Sequence, residues 1–189
     1  MRKVNILVFG DTFVGKSAII TQLTQEKFLD EYLPTVHNEV PFVLEYDQNN
    51  LELLICDTSG NPDFAKLREE KYHSVEGFVA VYSIISKESV EKLIPMIEVL
   101  KVLKAETIPL ILVGCKLDME AERQVHTEQG EVLARLLDCP FAEVSAKERD
   151  QVVAVFTRLM KEIDTKSPQQ RAASSKCKTK QRKKCCVVL

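Results

Sequence analysis

The stretch Gly10-Asp11-Thr12-Phe13-Val14-Gly15-Lys16-Ser17 sets two glycines, a lysine and a hydroxyl at the spacing G-x-x-x-x-G-K-[ST]. Glycines so placed let backbone N–H groups fold round phosphate oxygens. Lys16 adds a full charge, Ser17 a hydroxyl for Mg2+, and a helix opening at this point, with Ala18 in the same run, adds partial positive charge. A second piece, Cys56-Asp57-Thr58-Ser59-Gly60-Asn61, closes an apolar run. Asp57 can hold Mg2+ there, directly or through water, opposite the phosphate loop. By itself Asp-Thr-Ser-Gly is an ordinary turn, and its weight comes from following the loop. A third piece, Val113-Gly114-Cys115-Lys116-Leu117-Asp118, again runs from strand to loop. The Asp118 carboxylate can accept the N1 and exocyclic-amine hydrogens of guanine, which adenine does not offer, while the Lys116 stem lies along the base. Ser145-Ala146-Lys147 follows the last apolar strand and can supply a backbone N–H to the guanine oxygen.

These pieces need strands that end and helices that begin at the right places. Apolar runs predict strands over Val4–Phe9, Gly77–Ser83, Pro109–Gly114 and Phe141–Val144. Val40–Tyr46 and Leu51–Cys56 flank "DQNN" and read as an antiparallel hairpin, with Pro41 placing the first of the two at a sheet edge. Helical spacing runs to about Gln25, over Lys87–Lys104 with Pro95 inside it, from Thr127 through Leu137 and over Gln151–Ile163. The order β-α-β-β-α-β-α-β-α-β-α predicts an α/β fold. Its mostly parallel six-stranded sheet has helices on both faces and one antiparallel edge strand.

The chain has 189 residues, 26 Lys and Arg against 28 Asp and Glu, and a formal charge of −2. That is one domain, 1–165, with a basic tail over 166–189. From Thr165 onward there are eight bases and no acid, so the body carries −10 and the tail +8. No apolar run approaches the roughly 18 residues of a membrane span, and "MRKVNILVFGD" reads as a first strand rather than a signal peptide. Cys56, Cys115 and Cys139 lie in the body and Cys177, Cys185 and Cys186 near the end. With no CxxC or Cys/His metal spacing, the body cysteines read as small buried hydrophobes in a reducing compartment. His37, His73 and His126 read as surface residues rather than ligands.

Taken in order, the motifs make the chain resemble a Ras-family small GTPase of the P-loop G-domain type, across Lys3–Ile163, with a Ras- or Rap-like cast. The resemblance implies GTP or GDP with Mg2+ as ligands and Phe28-Leu29-Asp30-Glu31-Tyr32-Leu33-Pro34-Thr35 as the first switch. Phe28 would pack on the guanine, and Thr35 would join Ser17 and Asp57 around the metal. It further implies an effector region of Tyr32, Leu33, Pro34, Thr35, Val36, His37, Asn38, Glu39 and Val40, an exchange factor, and effectors met through GTP-ordered switch loops.

Several residues depart from that pattern. Asn61 stands where the family places a glutamine that orients the attacking water, and an amide one methylene shorter matters because about 1 Å of misplacement is worth about 10²-fold in rate. Thr12 replaces a glycine, crowding the γ-phosphate and the path of an arginine finger from an activating protein, worth about 10³–10⁵ in rate. With Ser59 in place of alanine, the trio resembles hydrolysis-deficient relatives such as the Rnd branch; the bland alternative is drift in a normal GTPase. Cys115 replaces an asparagine beside the guanine, so faster nucleotide release is expected. His37 and Asn38 stand where Ras-type effectors meet acids, so those effectors are not expected.

The end of the chain, Cys186-Val187-Val188-Leu189, is a C-a-a-X box whose final Leu points to geranylgeranyl on Cys186 by a prenyltransferase, with methylation to follow. Cys185 or Cys177 is a further acylation candidate. Six bases over Lys176–Lys184 supply the second membrane signal for an anionic cytoplasmic leaflet, at about 1 kcal/mol each. Nuclear import or nucleic-acid binding is the alternative for this run, and the adjacent lipid site weighs against it. Two functions stand at this point: a slow GTPase timer in which Lys16, Thr35 and Asn61 serve catalysis, and a binding module that stays GTP-loaded.

Overall fold

The computed structural model describes residues 2–29, 37–104 and 107–166. Thirteen elements follow one another: β1 (Arg2–Phe9), α1 (Lys16–Gln25), β2 (His37–Tyr46), β3 (Asn49–Thr58), a 3-10 turn (Pro62–Phe64), α2 (Ala65–Tyr72), β4 (Gly77–Ser83), α3 (Lys87–Lys104), β5 (Leu110–Cys115), a second 3-10 segment (Leu117–Glu122), α4 (Thr127–Leu137), β6 (Phe141–Val144) and α5 (Arg149–Lys166).

The six strands lie in the order β2-β3-β1-β4-β5-β6. All pairs are parallel except β2 with β3. This is the predicted sheet, with β2 and its Pro41 at an edge. Every residue of β4 is buried, as a central parallel strand covered on both faces must be. One apolar layer, including Ile19, Leu23, Phe156 and Leu159, fills the space beneath α1 and α5. The other, including Phe9, Tyr72, Leu93 and Ile97, fills the space beneath α2, α3 and α4.

Boundaries shift where local chemistry was misread. The hairpin is longer than expected because Asp47 and Gln48 alone make the turn, at φ 50° and 60°. Two positive-φ residues match the twist of the flanking strands, so Asn49 and Asn50 join the ladder opposite Tyr46 and Glu45. α3 continues through Pro95, whose exposed position leaves Leu93, Ile97 and Leu100 as the buried stripe. α5 begins at Arg149 and runs to Lys166, a residue that composition assigned to the tail. Its Nζ donates to the Asp138 carbonyl at 2.7 Å and pairs with Glu162 at 2.9 Å. The rest of the tail, with Cys177, Cys185 and Cys186, lies outside the described residues, as do Tyr32, Leu33, Pro34, Thr35 and Val36.

The strand order turns back at β1, with β3 on one side and β4 on the other. In open α/β sheets the crevice at such a switch point, past the carboxyl ends of the strands, is where ligands bind. The loops after β1, β3, β5 and β6 all open there. They carry the four motifs.

Candidate functional site

The loop after β1 is shaped by its glycines. Gly15, at φ 107°, is the N-cap of α1 and occupies a conformation that L side chains rarely adopt. Gly60 has no room for a Cβ, because one built there would collide with the backbone of Asp11 and Thr12. The loop after β3 therefore rests directly on the loop after β1. Val14 points its side chain into the core and anchors the loop from below, whereas Phe13, at φ 61°, is left 63% exposed.

Lys16 is 6% exposed, and its Nζ donates to the Asp11 carbonyl at 2.5 Å. Burial pushes its ammonium down to about 8, against the pull of Asp57 and Asp11. A lysine held this way favours an arriving anion, because phosphate oxygens restore the partner that burial removed. Thr12, Gly15, Lys16, Ser17, Ala18, Asp57, Gly60 and Lys116 line one cavity of about 520 Å³, with Phe13, Asn38 and Val40 also on its wall. Asp57 is 4% exposed, and the adjacent Thr58 hydroxyl donates to the Val8 carbonyl at 2.8 Å, tying β3 to β1 just below it.

Beyond Lys116, at φ 71°, a second group of side chains converges. Asp118 accepts from the Ser145 hydroxyl at 2.8 Å and pairs with Lys147 Nζ at 2.8 Å. Burial would raise its carboxyl, but the hydrogen bonds from Lys147 and Ser145 outweigh it and hold the group below its usual range. Lys147 Nζ also sits 5.2 Å from the centre of the Phe28 ring. Ala146 is buried between Ser145 and Lys147. α1 is pinned to this wall, with Gln22 Nε2 donating to the Lys147 carbonyl at 2.9 Å and Arg149 to the Leu23 carbonyl at 2.9 Å. The 3-10 segment after Asp118 is strapped down by Arg123. That guanidinium grips both carboxylate oxygens of Glu143, at 2.7 and 2.8 Å, and both of Glu120, at 2.7 and 2.8 Å.

The residues that depart from the expected pattern sit differently. The Asn61 amide oxygen accepts from the Asp63 N–H at 3.0 Å, making Asn61 the N-cap of a 3-10 turn with Pro62 in its first position. The Asn61 N–H donates to the Ser59 hydroxyl at 3.2 Å, and Arg68 donates to the Ser59 carbonyl at 3.2 Å. Thr12 Oγ1 donates to Asp11 Oδ1 at 3.4 Å. Cys115 is fully buried, and its Cβ and Sγ lie 3.4 Å from where a Gly15 side chain would begin. Burial pushes its thiol up to about 12.

The arrangement is a glycine-shaped loop with a buried lysine, beside a cluster centred on Asp118, at the switch point of a mostly parallel sheet. A model of the Ras family matches residues 5–165. The chain belongs to the Ras family. As a Ras-family small GTPase it is a GTP-binding switch that hydrolyses GTP; proteins of this family generally hold guanine nucleotide with Mg2+ and bind effectors and exchange factors. The residues present fit both ligands. A buried lysine and a glycine-shaped loop suit phosphate, and the Ser17 hydroxyl and Asp57 carboxylate on the same cavity wall are the hard oxygen donors that Mg2+ takes.

Motif reading of this Ras-family chain did not single out Arg68, Gln22, Arg149, Glu143 or Arg123. Nor did it bring His37 to Cys56, whose Sγ lies 3.5 Å from the imidazole Nδ1. Apart from Arg68, nine positions from Ser59, each makes a contact across 19 positions or more, and no local pattern marks it.

Proposed function

We propose that this Ras-family protein is a membrane-tethered guanine-nucleotide switch whose GTP hydrolysis is slow. Lys16 and the amides of Gly10–Ala18 take the phosphates; Ser17 and Thr35 hold Mg2+, with Asp57 supporting it. Phe28, Lys116, Asp118, Ser145, Ala146 and Lys147 take the base. When bound, Mg2+ neutralises charge on the β- and γ-phosphate oxygens. An effector reads residues 32–40 and the loop after β3 in the GTP-bound protein.

The observation that carries slow hydrolysis is the Asn61 cap. Its amide oxygen accepts from its own turn, at Asp63 N–H. To orient a water, Asn61 must give up that cap, worth about 1 kcal/mol, and still reach one methylene further. Thr12 adds bulk to the wall that an arginine finger would approach, so help from an activating protein is not expected. These are the Rnd-like departures of the chain.

Single-turnover hydrolysis of Mg2+·GTP by the full chain tests this, beside Asn61→Gln, Thr12→Gly and the double variant. The expected wild-type rate lies below the Ras intrinsic value of about 10⁻⁴ s⁻¹, with the double variant restoring it. A wild-type rate at that value would show that Asn61 still positions water. A second reading, a GTP-loaded binding module, is favoured by the same cap. No detectable wild-type turnover, with turnover in the double variant, would select it.

The tether follows from the tail. Geranylgeranyl on Cys186, with Cys185 as a further acylation site, combines with the +8 charge to hold an anionic cytoplasmic leaflet, that of the plasma membrane. Cys186→Ser is expected to move the protein to the soluble fraction of expressing cells. Retention on membranes would remove the prenyl anchor from this reading.

A further inference from the structure

We propose that His37, Glu39 and Cys56 form a three-ligand site for a zinc-class divalent cation at the start of β2. The register of the hairpin creates it. Glu39 lies opposite Cys56 in the antiparallel ladder, and His37 opposite Thr58. Residues two apart on a strand share a face, and diagonal neighbours on adjacent strands come within reach. Three donor types separated by up to 19 positions in sequence thus meet on one face of the sheet.

Their spacing suits one metal ion. His37 Nε2 lies 3.4 Å from Glu39 Oε1 and 3.8 Å from Cys56 Sγ, and the three ligand atoms all fall within 4.8 Å of one another. Bonds of zinc length at tetrahedral angles put nitrogen and oxygen donors about 3.4 Å apart and sulfur about 3.6 Å from either. The donor set of one thiolate, one imidazole and one carboxylate matches a borderline-soft cation rather than Mg2+ or Ca2+. Cys56 forms a buried floor, while the His37 and Glu39 side chains stay 23% and 40% exposed. The fourth position faces outward, for water or a donor from a partner.

Lys71 of α2 competes for the same ground. Its ammonium lies 2.8 Å from Glu39 Oε1. On loading, Glu39 exchanges that ion pair for the metal and His37 offers it a ring-nitrogen lone pair. The Cys56 thiol gives its proton to solvent as sulfur binds. No electron is transferred. Asn38, between the two ligands of β2, and Val40 beside them line the nucleotide cavity, so the cation ties to β3 the strand that forms that wall. The site does not depend on the hydrolysis rate.

The test uses full-length protein, saturated with Mg2+·GDP and carrying Cys177→Ser, Cys185→Ser and Cys186→Ser to silence the tail thiols. Co2+ is titrated in and then displaced with Zn2+. The expected result is one equivalent with a thiolate-to-cobalt charge-transfer band, lost on Zn2+ addition and absent in Cys56→Ser. His37→Gln and Glu39→Gln, at positions open to solvent, should each weaken binding about 10-fold or more. Lys71→Gln keeps all three ligands and removes the competing charge, so it should tighten binding several-fold. No band at millimolar Co2+, or a band that survives Cys56→Ser, overturns the site. Unchanged affinity in Lys71→Gln also overturns it, because Glu39 would then not be a ligand.

Discussion

The two walls of the candidate site are built in opposite ways. On one, Asp118, Ser145, Lys147 and Gln22 are tied across 27 to 125 positions of sequence, and Arg123 reaches 20 positions to Glu143. On the other, the side chains of Thr12, Ser59 and Asn61 bond within one or two positions, and the Ser59 carbonyl accepts from Arg68 nine positions on. Long-range ties put the Asp118 cluster under the protection of the whole fold. Local caps leave the side chains of the other wall free to change with little cost elsewhere. Thr12, Ser59 and Asn61, three of the departures from the expected pattern, lie here; Cys115, another, lies buried against Gly15.

The largest effect should come from cutting the long-range wall. Arg123 and Glu143 are each 10% exposed at the side chain and share two hydrogen bonds, with Thr127 donating to the same carboxylate at 3.0 Å. Removing one partner of such a pair leaves a charge unmatched, so Arg123→Met should cost about 3 kcal/mol in urea unfolding. Guanine-nucleotide affinity should fall with it, since the strap holds the segment carrying Asp118. A loss under about 1 kcal/mol, the range of a solvent-exposed pair, would break the contrast between the walls.

Lys16, on the floor between them, sharpens the contrast through pH. Its folded value of about 8 lies below the ordinary 10.5, so below pH 8 the folded protein carries a protonated lysine that burial penalises. As pH rises from 8 to 10.5 the unfolded chain binds more protons and the penalty is relieved. Nucleotide-free protein should therefore gain about 3 kcal/mol over that window relative to Lys16→Met. Buried thiols act in the other direction, since Cys56 is pushed up to about 11 and Cys115 to about 12 by burial, but both are common to the two proteins. A pH-independent difference between them would show that Lys16 is solvated.

The smallest effect belongs to the local wall. Asn61→Gln should lose about 1 kcal/mol of stability, the worth of an N-cap, while raising the hydrolysis rate. A rise in rate with no loss of stability would mean that Asn61 does not spend its amide on the cap in solution.

Much of this was legible beforehand, for identifiable reasons. Strands β4 and β6, helices α3 and α4, and the edge position of β2 follow from apolar periodicity and from the missing donor of Pro41, which are local properties. The helix between β3 and β4 was expected from strand order, but its bounds were not, because "AKLREEKY" has little apolar face and only Arg68 and Tyr72 are buried. The "DQNN" turn is two residues shorter than the sequence suggests, both at its C-terminal side, since nothing in the composition distinguishes a two-residue positive-φ turn from a four-residue loop. Asn61 was read as a shortened catalytic amide, and its capping role was also local. Asn followed by Pro and Asp is an N-cap sequence.

The sequence by itself determined the glycine-lysine loop after β1, the acid after β3 and Asp118 after β5, because each depends on residue type at fixed spacing along one strand–loop junction. Tertiary structure alone decided which carboxylate grips Arg123, what holds Asp118 in place, and how His37 and Glu39 come to face Cys56. Those depend on strand order and register. Register decides which side chains share a face only after the hairpin closes and the sheet assembles.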